Sequence, residues 1–121
     1  MARFKLDMDI EILGEPWMIT IVPESDDPNL KNCDGYTDKT SHCIVVSDMP
    51  DDCNLSVPLN YVQKVIRHEV IHAFMFESGL AENWEHKDMG QEEMTVDWIA
   101  IQFPKIQKVL EQIYAELEVC K

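Results

Sequence analysis

Residues 3 to 13, "RFKLDMDIEIL", place Phe4, Leu6, Met8, Ile10 and Ile12 on alternate positions, with Lys5, Asp7, Asp9 and Glu11 between them. A period of two marks a strand with one buried face. Gly14 and Glu15 interrupt the alternation before "PWMITIV", and the short break predicts a β-hairpin. Residues 23 to 41 are rich in Pro, Asp, Asn and Ser and are expected to form a loop. "HCIVVSD" follows as a short β-branched strand, and "MPDDCNLSVP" as a second loop in which Ser56 is a candidate helix cap and Pro58 falls in the first turn.

From 58 to about 78 the period changes. Leu59, Val62, Ile66, Val70, Ala73 and Phe74 recur at steps of three and four, the signature of an amphipathic helix. In "VIHAFMF" the apolar positions run nearly all the way round, so the second half of this helix should be central and buried. Gly79 stands where a left-handed cap belongs. A polar loop is expected from 81 to 90, a helix from about Gln91 to just before Pro104, and a last helix from about 104 to 119 carrying Ile106, Val109, Leu110, Ile113 and Leu117 as its stripe. Strands first and helices after predict an α+β domain spanning 1–121: a small N-terminal antiparallel sheet, a hairpin plus an edge strand, packed on a central helix and two C-terminal helices.

With 121 residues, 45% of them apolar, the chain is long enough for one core without disulfides or a structural metal. Its formal charge is −13, from 23 acidic and 10 basic residues, which argues against binding to nucleic acid or to an anionic membrane surface. No apolar run approaches a membrane span, and "MARFKLDMDI" does not have the form of a signal peptide, so a cytoplasmic location is expected. Cys33, Cys43, Cys53 and Cys120 form no C-x-x-C pair and are expected to be free thiols, not a zinc site.

The central helix carries chemistry. His68, Glu69 and His72 form H-E-x-x-H. Residues four apart share a helix face, so both imidazoles can address one metal ion, while Glu69 stands about 100° away, beside them. Polar side chains in so apolar a segment require partners, and a metal supplies one. Zinc takes a third protein ligand and leaves its fourth position open. His86, Glu92 and Glu93 are the downstream candidates. Glu93 is favoured because Asp97 lies four residues on, on the same face, able to orient a ligand imidazole. Tyr61, Tyr114 and His86 are candidate donors to a developing oxyanion, and the strand "HCIVVSD" is the candidate edge for docking an extended peptide.

"HEVIHAFMFESGL", followed by "EEMTVDWIAIQFP", resembles the zincin-like metallopeptidases of the gluzincin type, nearest to small phage- and prophage-associated proteins related to the ImmA/IrrE family. The family's downstream helix has the form E-x-x-A-[N/D]-x-F-A, matched here by Glu93, Val96, Asp97, Ile99 and Ala100, with Val in place of Ala and Ile in place of Phe. The resemblance covers about residues 42 to 104. It implies a zinc metallopeptidase acting on a protein or peptide substrate, with His68, His72 and Glu93 as Zn2+ ligands and Glu69 as general base. The rival expectation is a non-catalytic, zinc-containing regulator of the phage type that binds partners through its acidic surface.

Overall fold

The structure, a computed structural model, describes residues 2–50, 52–81 and 93–120; the side chains at 93, 94, 96 and 97 also lie outside the description. It is α+β. Strands β1 (Phe4–Lys5), β2 (Asp7–Ile12), β3 (Glu15–Val22), β4 (Gly35–Asp38) and β5 (Cys43–Ser47) precede helices α1 (Pro58–Glu77) and α2 (Glu93–Glu116), and a short β6 (Glu118–Val119) ends the order. The main sheet has the order β2-β3-β5-β4.

The N-terminal alternation produces the expected burial. Ile10 and Ile12 on β2 are buried, as are Phe4 and Leu6, while Asp7, Asp9 and Glu11 face solvent. β2 pairs antiparallel with β3, Ile12 opposite Glu15, so only Leu13 and Gly14 form the turn. Both have positive φ, 52° and 88°. That is the pattern of a type I′ turn, whose twist matches the hairpin. Glycine adopts it freely, whereas Leu13 is held there against its own preference.

β3 pairs parallel with β5, Ile19 beside Ile44 and Ile21 beside Val46, whereas β5 and β4 are antiparallel. The sheet is therefore not purely antiparallel. "HCIVVSD" is not its edge either: β5 is interior, and the edge beside it is β4, in a stretch expected to be a loop. β4 is short and polar, so neither alternation nor apolar content marks it. The chain reaches it through two short 3-10 turns, Glu24–Asp26 and Pro28–Leu30, the second of which ends in the buried Leu30; Val45 on β5 is buried on the sheet's second face.

The helices cover the first face. Val62, Val65, Ile66, Val70, Ala73 and Phe74 of α1 and Ile106, Val109 and Ile113 of α2 join Ile10, Ile12, Trp17, Ile19, Ile44 and Val46 in one core. Helix α1 packs over β4 and β5, α2 over β2. The first residue of α1 is Pro58, whose missing N–H removes one unpaired donor; Val57 is the cap, and Ser56 makes no capping bond. At the other end Gly79, φ 81°, donates to the Phe76 carbonyl, closing the helix as expected.

Two C-terminal helices were expected on either side of Pro104, and one is found. Pro104 lies inside α2. Proline there leaves the Ala100 carbonyl without its helical donor, but Ala100 and Pro104 are both exposed, so water can serve that carbonyl. Trp98 Nε1 donates to Ser78 Oγ at 3.1 Å, and Tyr114 hydroxyl donates to the Gln63 carbonyl at 3.1 Å, which sets α2 antiparallel to α1. The four cysteines are free thiols, as expected. No described helix is long and apolar enough to cross a membrane.

The chain ends meet. β1 pairs antiparallel with β6, Phe4 opposite Val119, and the buried Asp48 carboxylate accepts from the Arg3 and Phe4 amides at 2.8 and 3.0 Å.

The turn gives a pair of opposite predictions. Nothing lies within 4 Å of a Cβ added at Gly14, so Gly14→Ala tests conformation alone. It should destabilise the chain by about 1–2 kcal/mol in urea unfolding, whereas Leu13→Asn, better suited to positive φ, should stabilise it by about 0.5–1 kcal/mol.

Candidate active site

His68 and His72 stand one turn apart on the face of α1 turned away from the core. The His68 side chain is 59% exposed and His72 is half-buried. The expectation that the second half of this helix is buried therefore fails on this side: His68 is open to solvent, His72 partly so, and the buried polar group is Glu69, 8% exposed.

The two rings converge. Their Nε2 atoms are 3.2 Å apart, with centroids at 4.8 Å and planes at 71°. Two nitrogens each about 2.0–2.1 Å from a tetrahedral zinc would lie roughly 3.3–3.4 Å apart. The observed spacing fits two ligands of such an ion with little adjustment, and imidazole nitrogen is among the donors that zinc takes. His72 is backed by Phe76, nearly parallel at 6.3 Å, and Lys39 Nζ stands 5.6 Å from the centre of the Phe76 ring.

Glu69 is held by the edge strand. Thr37 Oγ1 donates toward Glu69 Oε1 at 2.9 Å and toward the Glu69 carbonyl at 3.1 Å, while Oε2 lies 3.9 Å from His68 Nε2. Hydrogen bonds to charged groups contribute about 1.5–3 kcal/mol, which offsets part of the cost of burying this carboxylate. The strand reaches the helix because residue 35 is glycine. A Cβ there would sit 3.0 Å from Val65 Cγ1, 3.1 Å from the Val45 carbonyl and 3.4 Å from Glu69 Cγ.

β4 also offers its backbone. Ser47 N–H donates to the Asp34 carbonyl, which sets the phase of the ladder. In an antiparallel pair the bonded positions alternate, so Tyr36 and Asp38 turn their polar groups to β5, and Gly35 and Thr37 turn theirs outward. Among the described residues no strand pairs with that outer side.

A cavity of about 200 Å³ opens beside Glu69 and His68, walled by Asp34, Gly35, Tyr61, Lys64 and Val65. Tyr61 hydroxyl donates to Asp34 Oδ2, which fastens α1 to the start of β4 and raises the Tyr61 pKa. Tyr36 is tied to Asp27 in the same way, its pKa raised chiefly by that bond. At the far end of β4, hydrogen bonds from Thr40, first its hydroxyl and then its amide, hold the Asp38 carboxyl at about 2. The C-terminal end of α1 is fixed by Glu77, which accepts from Trp17 Nε1 at 2.7 Å and lies 3.3 Å from His42 Nε2, His42 being stacked on Trp17.

The candidate donors to an oxyanion are placed unequally. Tyr114 bonds Gln63 and Arg67, on a side of α1 some 100° or more from the imidazoles. Tyr61 shares the histidine face but stands seven residues before His68, about 10 Å along the axis, and leans further away because helical side chains tilt toward the N-terminus. His86 lies outside the described residues, as does Glu92. Glu93 opens α2, but its side chain and that of Asp97 are likewise outside the description. Among the described residues no set of three His, Cys, Asp or Glu side chains converges. Thr37 and Gly35, both central to the site, carried no sequence signal beyond a β-prone Tyr-Thr pair inside a loop.

Gly35→Ala should force strand and helix apart. A loss of about 1–3 kcal/mol in stability, typical of overpacking, is expected in denaturant unfolding, and wild-type stability in that variant would contradict the close approach.

No family model, curated protein or solved structure matches the chain.

Proposed function

We propose that this protein is a zinc-dependent metallopeptidase of the zincin kind. The observation that carries the reading is the convergence of the His68 and His72 Nε2 atoms to 3.2 Å beside a buried, strand-held Glu69 carboxylate. Glu93 completes the ligand set in this reading, with Asp97 orienting an imidazole, as the resemblance to the ImmA/IrrE-related proteins implies. The antiparallel packing of α2 supports it to the extent that the start of α2 lies toward the His72 end of α1.

Zinc, when bound, lowers the pKa of water toward about 7 and polarises a carbonyl oxygen. Glu69 accepts the proton of the attacking water and returns it to the leaving amine. Gly35 and Thr37 pair with an extended peptide laid against β4, their outward backbone groups fixing its register above the histidines. The fastening of Tyr61 to Asp34 and the Glu77–Trp17 bond hold the two ends of α1, so the cleft keeps its shape.

The second reading, a non-catalytic zinc-containing regulator, is favoured by one observation. Asp7, Asp9 and Glu11 form an exposed row on the outer strand β2, suited to a basic partner. The two readings diverge at Glu69.

Protein purified without chelator should carry about one zinc per chain by elemental analysis, and His72→Ala should lose most of it. Unchanged metal content in that variant would sink the metal site. Glu69→Gln should keep zinc and melting temperature near wild type while hydrolysis of a cleaved library peptide falls by at least about 100-fold. Retained hydrolysis in Glu69→Gln would refute the peptidase reading, and retained biological activity there, with loss in His68→Ala, would favour the regulator.

A further inference from the structure

Resting on the peptidase reading, we propose that Thr37 is a positioning residue for Glu69: its hydroxyl fixes the plane of the carboxylate, so that the oxygen it does not bond stays turned to the reaction. A glutamate side chain has three rotatable bonds, and burial alone does not choose among its rotamers. Thr37 Oγ1 lies within bonding distance of the Glu69 carbonyl and of Oε1, so it clasps both ends of the same residue. A hydroxyl has one proton to give, and the charged oxygen is the stronger acceptor. Oε1 is thereby turned to β4, and Oε2 is left on the His68 side, 3.9 Å from Nε2.

The hydroxyl itself has little freedom. Thr37 is β-branched, with χ1 restricted, and its strand is pressed against α1 at Gly35, where no Cβ fits without displacement. With one oxygen bonded to the strand and the other 3.9 Å from His68 Nε2, the carboxylate plane runs from β4 to the histidine face. The strand that holds the base is also the strand whose outward backbone would hold the peptide, so substrate pairing and base orientation depend on the same four residues.

The test uses Thr37→Val, which keeps shape and removes the donor, and Thr37→Ser, which keeps the donor. On a peptide cleaved by wild type, Thr37→Val should lower kcat by about 10-fold or more with KM and zinc content within about twofold, and Thr37→Ser should recover to within about threefold. Wild-type kcat in Thr37→Val, or equal loss in both variants, overturns the proposal. A second readout needs no turnover. In protein labelled with carboxyl-13C glutamate, the Glu69 signal, assigned by its absence in Glu69→Gln, should move in Thr37→Val and return in Thr37→Ser. An unmoved signal overturns the positioning role. If no peptide is cleaved, or Glu69→Gln cleaves as wild type does, the peptidase reading has failed, and an unmoved carbon signal in Thr37→Val then refutes the hydroxyl–carboxylate bond itself.

Discussion

The close approach of β4 to α1 is the contact on which the site depends. At Gly35 the strand lies so near the helix that Val65, Glu69 and the Val45 carbonyl fill the space where a side chain would be. Two residues on, Thr37 reaches the Glu69 carboxylate. Move the strand outward by the width of a methyl group and the carboxylate loses its partner, the cavity beside His68 changes shape, and the outward backbone of β4 shifts relative to the imidazoles. Burial of Glu69 and exposure of the histidines are two results of one arrangement: the strand covers the helix face at 65 and 69 and stops short of the face at 68 and 72.

The fold and site differ in how far they could be read from the chain. Phe4 to Ile12 alternate because one sheet face is buried, and the alternation survives in the structure almost position for position. Helix α1 was legible for the same reason, its apolar spacing recording its contact with the sheet. The parallel pairing of β3 with β5 left no local trace, since pairing direction depends on the path of the chain between strands, not on side-chain period. β4 was hidden by its composition. An edge strand of four residues with Asp, Tyr and Thr has little to bury and so resembles the loop around it. Pro104 misled in the opposite direction: proline in a helix costs a hydrogen bond and a ring clash, and an exposed turn, where water serves the freed carbonyl, reduces the first of these.

The candidate site followed the same division. The i, i+4 spacing of His68 and His72 specified their shared helix face, because helix geometry alone determines that, and their rotamers bring the rings together. The partner of Glu69 was not legible, because Thr37 lies 32 positions away and meets it only through tertiary packing. The argument that two histidines in an apolar helix must be buried also failed. An apolar stretch can place its minority of polar side chains on the one face that the sheet does not cover.

The pairing of β1 with β6 has a mechanical consequence. Phe4 and Val119 are ladder partners, Cys120 N–H donates to the Arg3 carbonyl, and Asp48 grips the amides at 3 and 4. A pull applied near residue 4 and one applied near residue 119 both load this short ribbon first. Phe4 also packs in the main core and Asp48 directly follows β5, so the ribbon passes such a load to the body of the domain at those two anchors.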